Sequence, residues 1–264
     1  MNKITVFIVA GVACAAVFGD VPGSITTESG ETHKGSIRWS TRDKAYLVTK
    51  GNVELQVKET EVAELDIEKP AGFDAAVEQV QKGQGSAAVP ALQKIAKSYQ
   101  HLQWDKPAGR YLAEAYISSG KAEEGLKVCQ SIISGEPSAA YRGELAPAYW
   151  GALLALGKTS ALESALTKAA KSGDRFSSGA ALTMRGDMIL KAGNESVDAA
   201  KKALTDGYLR VVYLYNDADV AAKLQPEALY KAAICFEKLG QSGRADTMRS
   251  DLKKLYPSSP WAAK

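Results

Sequence analysis

The chain has 264 residues, with 33 lysines and arginines against 30 aspartates and glutamates, a formal charge of +3. So small an excess excludes a chain that holds nucleic acid by bulk charge. With 45% hydrophobic and 24% charged residues, neither wholesale disorder nor a polytopic membrane protein fits, and two histidines and three cysteines leave few of the usual metal ligands or neutral-pH bases.

Met1-Asn2-Lys3 is a short positive segment, followed by an uncharged, mainly apolar stretch from Ile4 to Gly19. Its 16 residues fall short of the roughly 20 that span a bilayer. The expectation is a secretory signal peptide over residues 1–19, cleaved before Asp20, and hence an exported protein with no transmembrane span after cleavage. Gly11-Val12-Ala13-Cys14 also resembles a lipobox, with Gly where that pattern has Leu, so a lipid anchor at Cys14 is the alternative. Export puts Cys129 and Cys235 in a compartment that permits disulfides. Their places on non-adjacent helical hairpins keep them too far apart to bond, and two buried thiols are expected.

Composition shifts near Pro70. Residues 20–69 carry 10 acids and 7 bases, while residues 70–264 carry 20 acids and 25 bases and are rich in Ala, Leu, Lys and Gly. The first segment holds five short, partly alternating runs, at 24–27, 35–39, 44–49, 53–57 and 62–67, separated by Ser29-Gly30, Arg42-Asp43 and Gly51-Asn52. These read as five strands joined by tight turns. Closure of so small a meander into a barrel hides its edges. The Gly-x-Ile strand and the Val62-x-x-Leu65-x-Ile67 ending are similar to those of SH3-like and Sm-like small barrels, a resemblance that implies a fold and no particular ligand.

In the second segment Gly83, Gly120, Gly157, Gly193 and Gly240 recur at spacings of 37, 37, 36 and 47 residues. Such punctuation predicts about five stacked helical hairpins. The longest spacing contains Val197 to Tyr215, which reads as one extended amphipathic helix, followed by the capping run Asn216-Asp217-Ala218-Asp219. In two copies a small residue, a ring, a glycine and a proline stand at matching offsets: Ala113, Tyr116, Gly120, Pro137, and Ala233, Phe236, Gly240, Pro257. These residues resemble the tetratricopeptide repeat. The C-terminal copy, from Tyr208 through Pro226-Glu227-Ala228-Leu229-Tyr230 to Leu255-Tyr256-Pro257, is similar to those ending the Tol-Pal-associated coordinator and the lipoprotein of the outer-membrane β-barrel assembly machine. The fold class is then α+β in two modules: a small five-stranded β-barrel over 20–69, followed by a predominantly α tetratricopeptide-like solenoid over 70–264.

Candidate chemistry is sparse. His33 and His101 have no partner at triad or metal spacing. Gly83-Gln84-Gly85 lacks the preceding strand of a dinucleotide fingerprint and reads as an inter-helix turn with Ser86 as N-cap. Asn216-Asp217-Ala218-Asp219 lacks the Gly and Glu that would complete a calcium loop. No cofactor, metal or catalytic set is expected. What remains is surface: in a repeat solenoid the first helix of each pair lines a groove. The side chains expected there are Arg110, Glu114 and Ile117 in one copy and Tyr230, Ile234 and Glu237 in the other, facing a protein or peptide partner in the envelope unless the chain itself covers them. The alternative function is glycan or peptidoglycan binding by the barrel, with Trp39 and Tyr46 as exposed stacking rings.

Overall fold

The structure is a computed structural model that describes residues 20–264; the expected signal peptide and Cys14 lie outside the described residues. By Cα proximity the chain forms two compact units, one running to Val80 and including Ser86–Leu112, the other formed by Gln81–Gly85 and Ala113–Lys264.

All five expected strands are present: β1 (Val21–Thr27), β2 (Thr32–Ser40), β3 (Ala45–Lys50), β4 (Val53–Lys58) and β5 (Val62–Ile67). They form one antiparallel sheet in the order β4-β3-β2-β1-β5, with a 3-10 turn, Glu59–Glu61, joining its two edge strands. Alternation sends Ile25, Ile37, Trp39, Tyr46, Val48 and Val57 into one core, as a half-buried sheet requires. Gly23 lies opposite Gly35 across β1 and β2. A Cβ at Gly23 would meet the Asp66 carbonyl oxygen at 2.6 Å, and one at Gly35 the Thr49 carbonyl oxygen at 2.4 Å. Only glycine tolerates such close backbone approach.

The sheet core is completed by residues 99–104, between helices α2 (Gly85–Ser98) and α3 (Asp105–Ser118), which contribute Tyr99, Leu102 and Trp104. Three polar bonds fix this segment. Tyr46 donates its hydroxyl to the His101 carbonyl at 3.2 Å, the Ile67 amide donates to Gln103 Oε1 at 3.2 Å, and the Trp104 indole donates to the Ile67 carbonyl at 2.9 Å. Helix α1 (Phe73–Gln81) adds Phe73, whose ring meets that of Trp104 edge-on at 5.3 Å.

The helices of the second unit are α4 (Ala122–Gly135), α5 (Leu145–Ala155), α6 (Thr159–Lys171), α7 (Arg175–Ala192), α8 (Val197–Ala203), α9 (Leu209–Leu214), α10 (Ala218–Lys238) and α11 (Ser242–Leu255). Asp174 caps α7 by accepting from the Ser177 amide, and Ser196 caps α8 by accepting from the Ala199 amide. Helix α5 is apolar nearly all round and sits accordingly in the core, where its fully buried Trp150 donates to the Ala140 carbonyl at 2.9 Å. The first turn of α2 contains Ser86, one residue inside the helix and so past the expected N-cap position.

Gly83, Gly120, Gly157 and Gly240 each take a positive φ between consecutive helices, the left-handed geometry that ends a helix and reverses the chain. Gly193 shares their spacing but not their conformation: its φ is −90°, and the left-handed residues are Asn194 and Glu195. Here glycine serves packing, since a Cβ would stand 2.4 Å from the Ala199 side chain. The expected long helix from Val197 is continuous to Leu214, with a π turn at Leu204–Tyr208 between α8 and α9. That turn sets Gly207 against Gly186 of α7, where a Cβ would come within 2.9 Å of backbone atoms. It also buries Tyr208 completely. Helix α10 then starts at Ala218 and carries Pro226 inside it, which accounts for the extra residues before Gly240. Buried Gln225 just before that proline donates to the carbonyls of Val212 and Tyr215 and accepts from the Tyr256 hydroxyl, so all of its polar atoms are used.

Candidate functional site

The C-terminal hairpin, α10 and α11 joined through Gly240, holds its crossing with Ala232, Ala233 and Ala245 while Leu229, Phe236, Met248 and Leu252 fill the space around them. Beside this core lies a charged cluster. Lys231 of α10 places its ammonium 2.6 Å from Asp187 Oδ2 of α7 and 2.6 Å from Glu227 Oε1 one turn earlier. The Tyr208 hydroxyl donates to Asp187 Oδ1 at 2.7 Å. Burial works against both charges. For Lys231 it is the largest influence, yet two carboxylates more than offset it and hold the ammonium above the ordinary lysine range. Asp187 has burial against a single shared cation, and its carboxyl is left above the ordinary carboxylate range. Burial, then the neighbouring Asp187, keeps the Tyr208 hydroxyl protonated well above the usual phenol range. A group locked into three short contacts orients helices; it offers no free acid or base.

The expected contact residues divide. Tyr230 is half-buried, its ring 5.3 Å from that of Trp261, which belongs to a short 3-10 turn, Pro260–Ala263. Ile234 is half-buried, and exposed Glu237 accepts from Arg249 at 2.7 Å. In the other copy, Ile117 packs against the core around Trp150, Glu114 is half-buried, and the Arg110 guanidinium lies 4.7 Å from the centre of the Tyr111 ring. Ile117 and Tyr230 belong to separate clusters. Trp39 and Tyr46 correct an expectation. They are 7% and 8% exposed, pack edge-on at 4.8 Å, and Trp39 lies 4.7 Å from the His101 ring, so neither offers a free face to a sugar. Both are required by the sheet's inward alternation, and residues 99–104 cover them.

Cys129 and Cys235 are fully buried free thiols. Burial, with the Glu114 carboxylate nearby, pushes the Cys129 thiol up to about 12, and burial pushes Cys235 up to about 11. In the run at Asn216, Asp217 holds the N-cap position of α10 without a side-chain capping bond and pairs instead with Arg175, which also donates to the Leu214 carbonyl at 3.0 Å. Among the described residues no group of three or more His, Cys, Asp or Glu is placed to hold a metal ion, and no helix is long and apolar enough to cross a membrane.

Sequence reasoning missed one concave feature, a cleft of about 480 Å³ between α6, α7 and the π turn. Leu166, Met188 and Ile189 line it together with Glu163, Asp206, Arg185 and Arg210. Its two cations and two carboxylates cancel, so it exerts no net pull on a ligand of either sign. The residues come from three helices, a convergence that no local pattern announces.

No curated protein sequence and no solved structure matches the chain. Residues 227–259, the hairpin of α10 and α11, match the tetratricopeptide repeat family, so the helical part of this chain carries a tetratricopeptide-like repeat of the kind that serves protein–protein interaction.

Proposed function

We propose that the chain is a non-enzymatic scaffold exported to the cell envelope, where its helical hairpins hold a protein or peptide partner. The observation that carries this reading is the repeat match over residues 227–259, on a hairpin that carries half-buried Tyr230 and Ile234 and exposed Glu237. With Arg110, Glu114 and Ile117 of the earlier copy, these form the proposed contact set, mixing charge with apolar anchors. Export rests on the positive and apolar character of residues 1–19, and the similarity of the last repeat to the Tol-Pal-associated coordinator and the assembly lipoprotein belongs to the same proposal. The acidic segment 20–69 is proposed as a separate module, an SH3-like barrel. Its strand order, the 3-10 turn between β4 and β5 and the paired Gly23 and Gly35 support that curl.

Crosslinking of the purified full chain in envelope extract, with mass-spectrometric mapping of the linked residues, tests the reading. A discrete partner linked near Tyr230 or Glu237, and lost in a Glu237→Arg variant, supports it. Failure to link any protein overturns it.

A further inference from the structure

The α10 face that carries Tyr230 is occupied by the chain's own last residues. After α11 the backbone turns at Pro257, and the Ser259 hydroxyl accepts from the Trp261 amide at 3.3 Å, which caps the short turn. Trp261 then lies against Tyr230, with its ring centre 6.0 Å from the Lys231 ammonium. The Lys264 ammonium stands 3.8 Å from the centre of the Trp261 ring and 5.8 Å from that of Tyr230. This is recognition in miniature: an aromatic ring seated on an aromatic ring, and a cation placed beside both. The seat is short and local. Trp261 is only half-buried, and Ala263 and Lys264 are exposed. Burial lowers the Lys264 ammonium below the ordinary lysine range while Glu227 opposes that shift, so the cation feels the α10 carboxylate.

Resting on the scaffold reading, we infer that the α10 face formed by Glu227, Tyr230 and Lys231 recognises a peptide segment bearing an aromatic residue followed three positions later by a lysine, and that Trp261–Lys264 is a resident occupant which such a partner displaces. A tethered occupant competes at high effective concentration, so the free face is a minor population and apparent affinity for an outside segment is reduced by that fraction. Emptying the face restores it.

The experiment uses the full chain and a fluorescein-labelled peptide of residues 258–264, read by anisotropy. Trp261→Ala is expected to bind the peptide at least ~10-fold more tightly than the parent chain, and adding Tyr230→Ala is expected to abolish the gain. A peptide with its tryptophan replaced by alanine is expected not to bind. Lys264→Ala, which leaves the Trp261 ring in place, is a second and milder way to loosen the occupant, with a smaller gain of the same sign. If neither variant binds the peptide while both keep the parent's circular-dichroism spectrum and melting temperature within a few degrees, the turn is a fixed cap on the repeat and the inference falls. If crosslinks from a captured partner meanwhile map to other helices, the scaffold reading stands without it.

Discussion

Lys231 of α10 and Asp187 of α7 share two contacts, at 2.6 and 2.8 Å, and their side chains are only about one-fifth exposed. They lie 44 residues apart, so the pair pins the last repeat hairpin to the preceding one. Removing the cation leaves a carboxylate that burial already disfavours. Lys231→Met is expected to lower stability by about 2–3 kcal/mol in urea unfolding, below the full cost of an entirely buried broken pair because some solvent reaches it. Lys231→Met with Asp187→Asn is expected to recover part of that loss, since the amide leaves no uncompensated buried charge and its oxygen still accepts from the buried Tyr208 hydroxyl, whereas a double variant no better than the single would show that the pair is not the source.

The pH dependence follows in sign from the same lysine. Its folded pKa is raised, so its stabilising contribution is complete below the ordinary lysine value of 10.5 and disappears as pH climbs above it through the folded value. Urea midpoints from pH 9 upward are expected to fall more steeply for the parent chain than for Lys231→Met. Parallel curves would contradict the linkage.

Gly186 and Gly207 are the second long-range tie. Gly207→Ala puts a methyl within 2.9 Å of α7 backbone, and Gly186→Ala puts one 2.5 Å from the Tyr208 ring. Neither backbone nor buried ring can step aside, so each change is expected to cost more than about 2 kcal/mol through overpacking. Gly243, in the first turn of α11, has a helical backbone, and a methyl added there would meet nothing within 4 Å. Gly243→Ala is therefore expected to be neutral or stabilising by up to about 1 kcal/mol, and thermal melts of the three variants separate close packing from helix propensity.

These ties mark the limit of what the sequence discloses. The five strands were legible because alternation is a local, two-residue period, and the turns at Gly83, Gly120, Gly157 and Gly240 because a left-handed helix end selects glycine wherever it occurs. Gly193 kept the spacing for a different reason, contact with Ala199, which no spacing can distinguish. The π turn packs against α7, on the far side of the preceding connection, and no local pattern announces that contact. Trp39 and Tyr46 sit on the inward face of their strands, and what covers them is a loop beyond α2 whose left-handed His101 and Gln103 give no compositional warning. In the candidate site the repeat pattern singled out Tyr230, but its cover by Trp261 depends on a turn after the repeat has ended.

Trp39 is expected to act through stability. Trp39→Ala removes a ring packed on Tyr46 and His101 in the sheet core and is expected to cost about 3–5 kcal/mol. Near-ultraviolet circular dichroism and a denaturant melt should register that loss, whereas sedimentation with peptidoglycan should not differ between folded parent and folded variant. A variant of unchanged stability would mean that the ring is not the core element its burial makes it.

The two described cysteines give a test of the helical core that needs no ligand. A thiol reagent attacks the thiolate, and with thiols at about 12 and about 11 the charged form is scarce at pH 8, while full burial blocks approach. In a Cys14→Ser chain, which isolates Cys129 and Cys235, an aromatic disulfide reagent is expected to label neither thiol in the native state and both in guanidinium chloride. Labelling in intermediate denaturant then follows the opening of each thiol's surroundings. Cys129 packs among Ala113, Leu145 and Ala148, and Cys235 in the separate cluster of the last hairpin, so the order in which they react reports which cluster opens first. Lys231→Met should advance Cys235 and leave Cys129 unmoved, because the ion pair it breaks joins α10 to α7 and neither helix contributes to the cluster around Cys129; equal acceleration of both thiols would show that the helical unit opens as one.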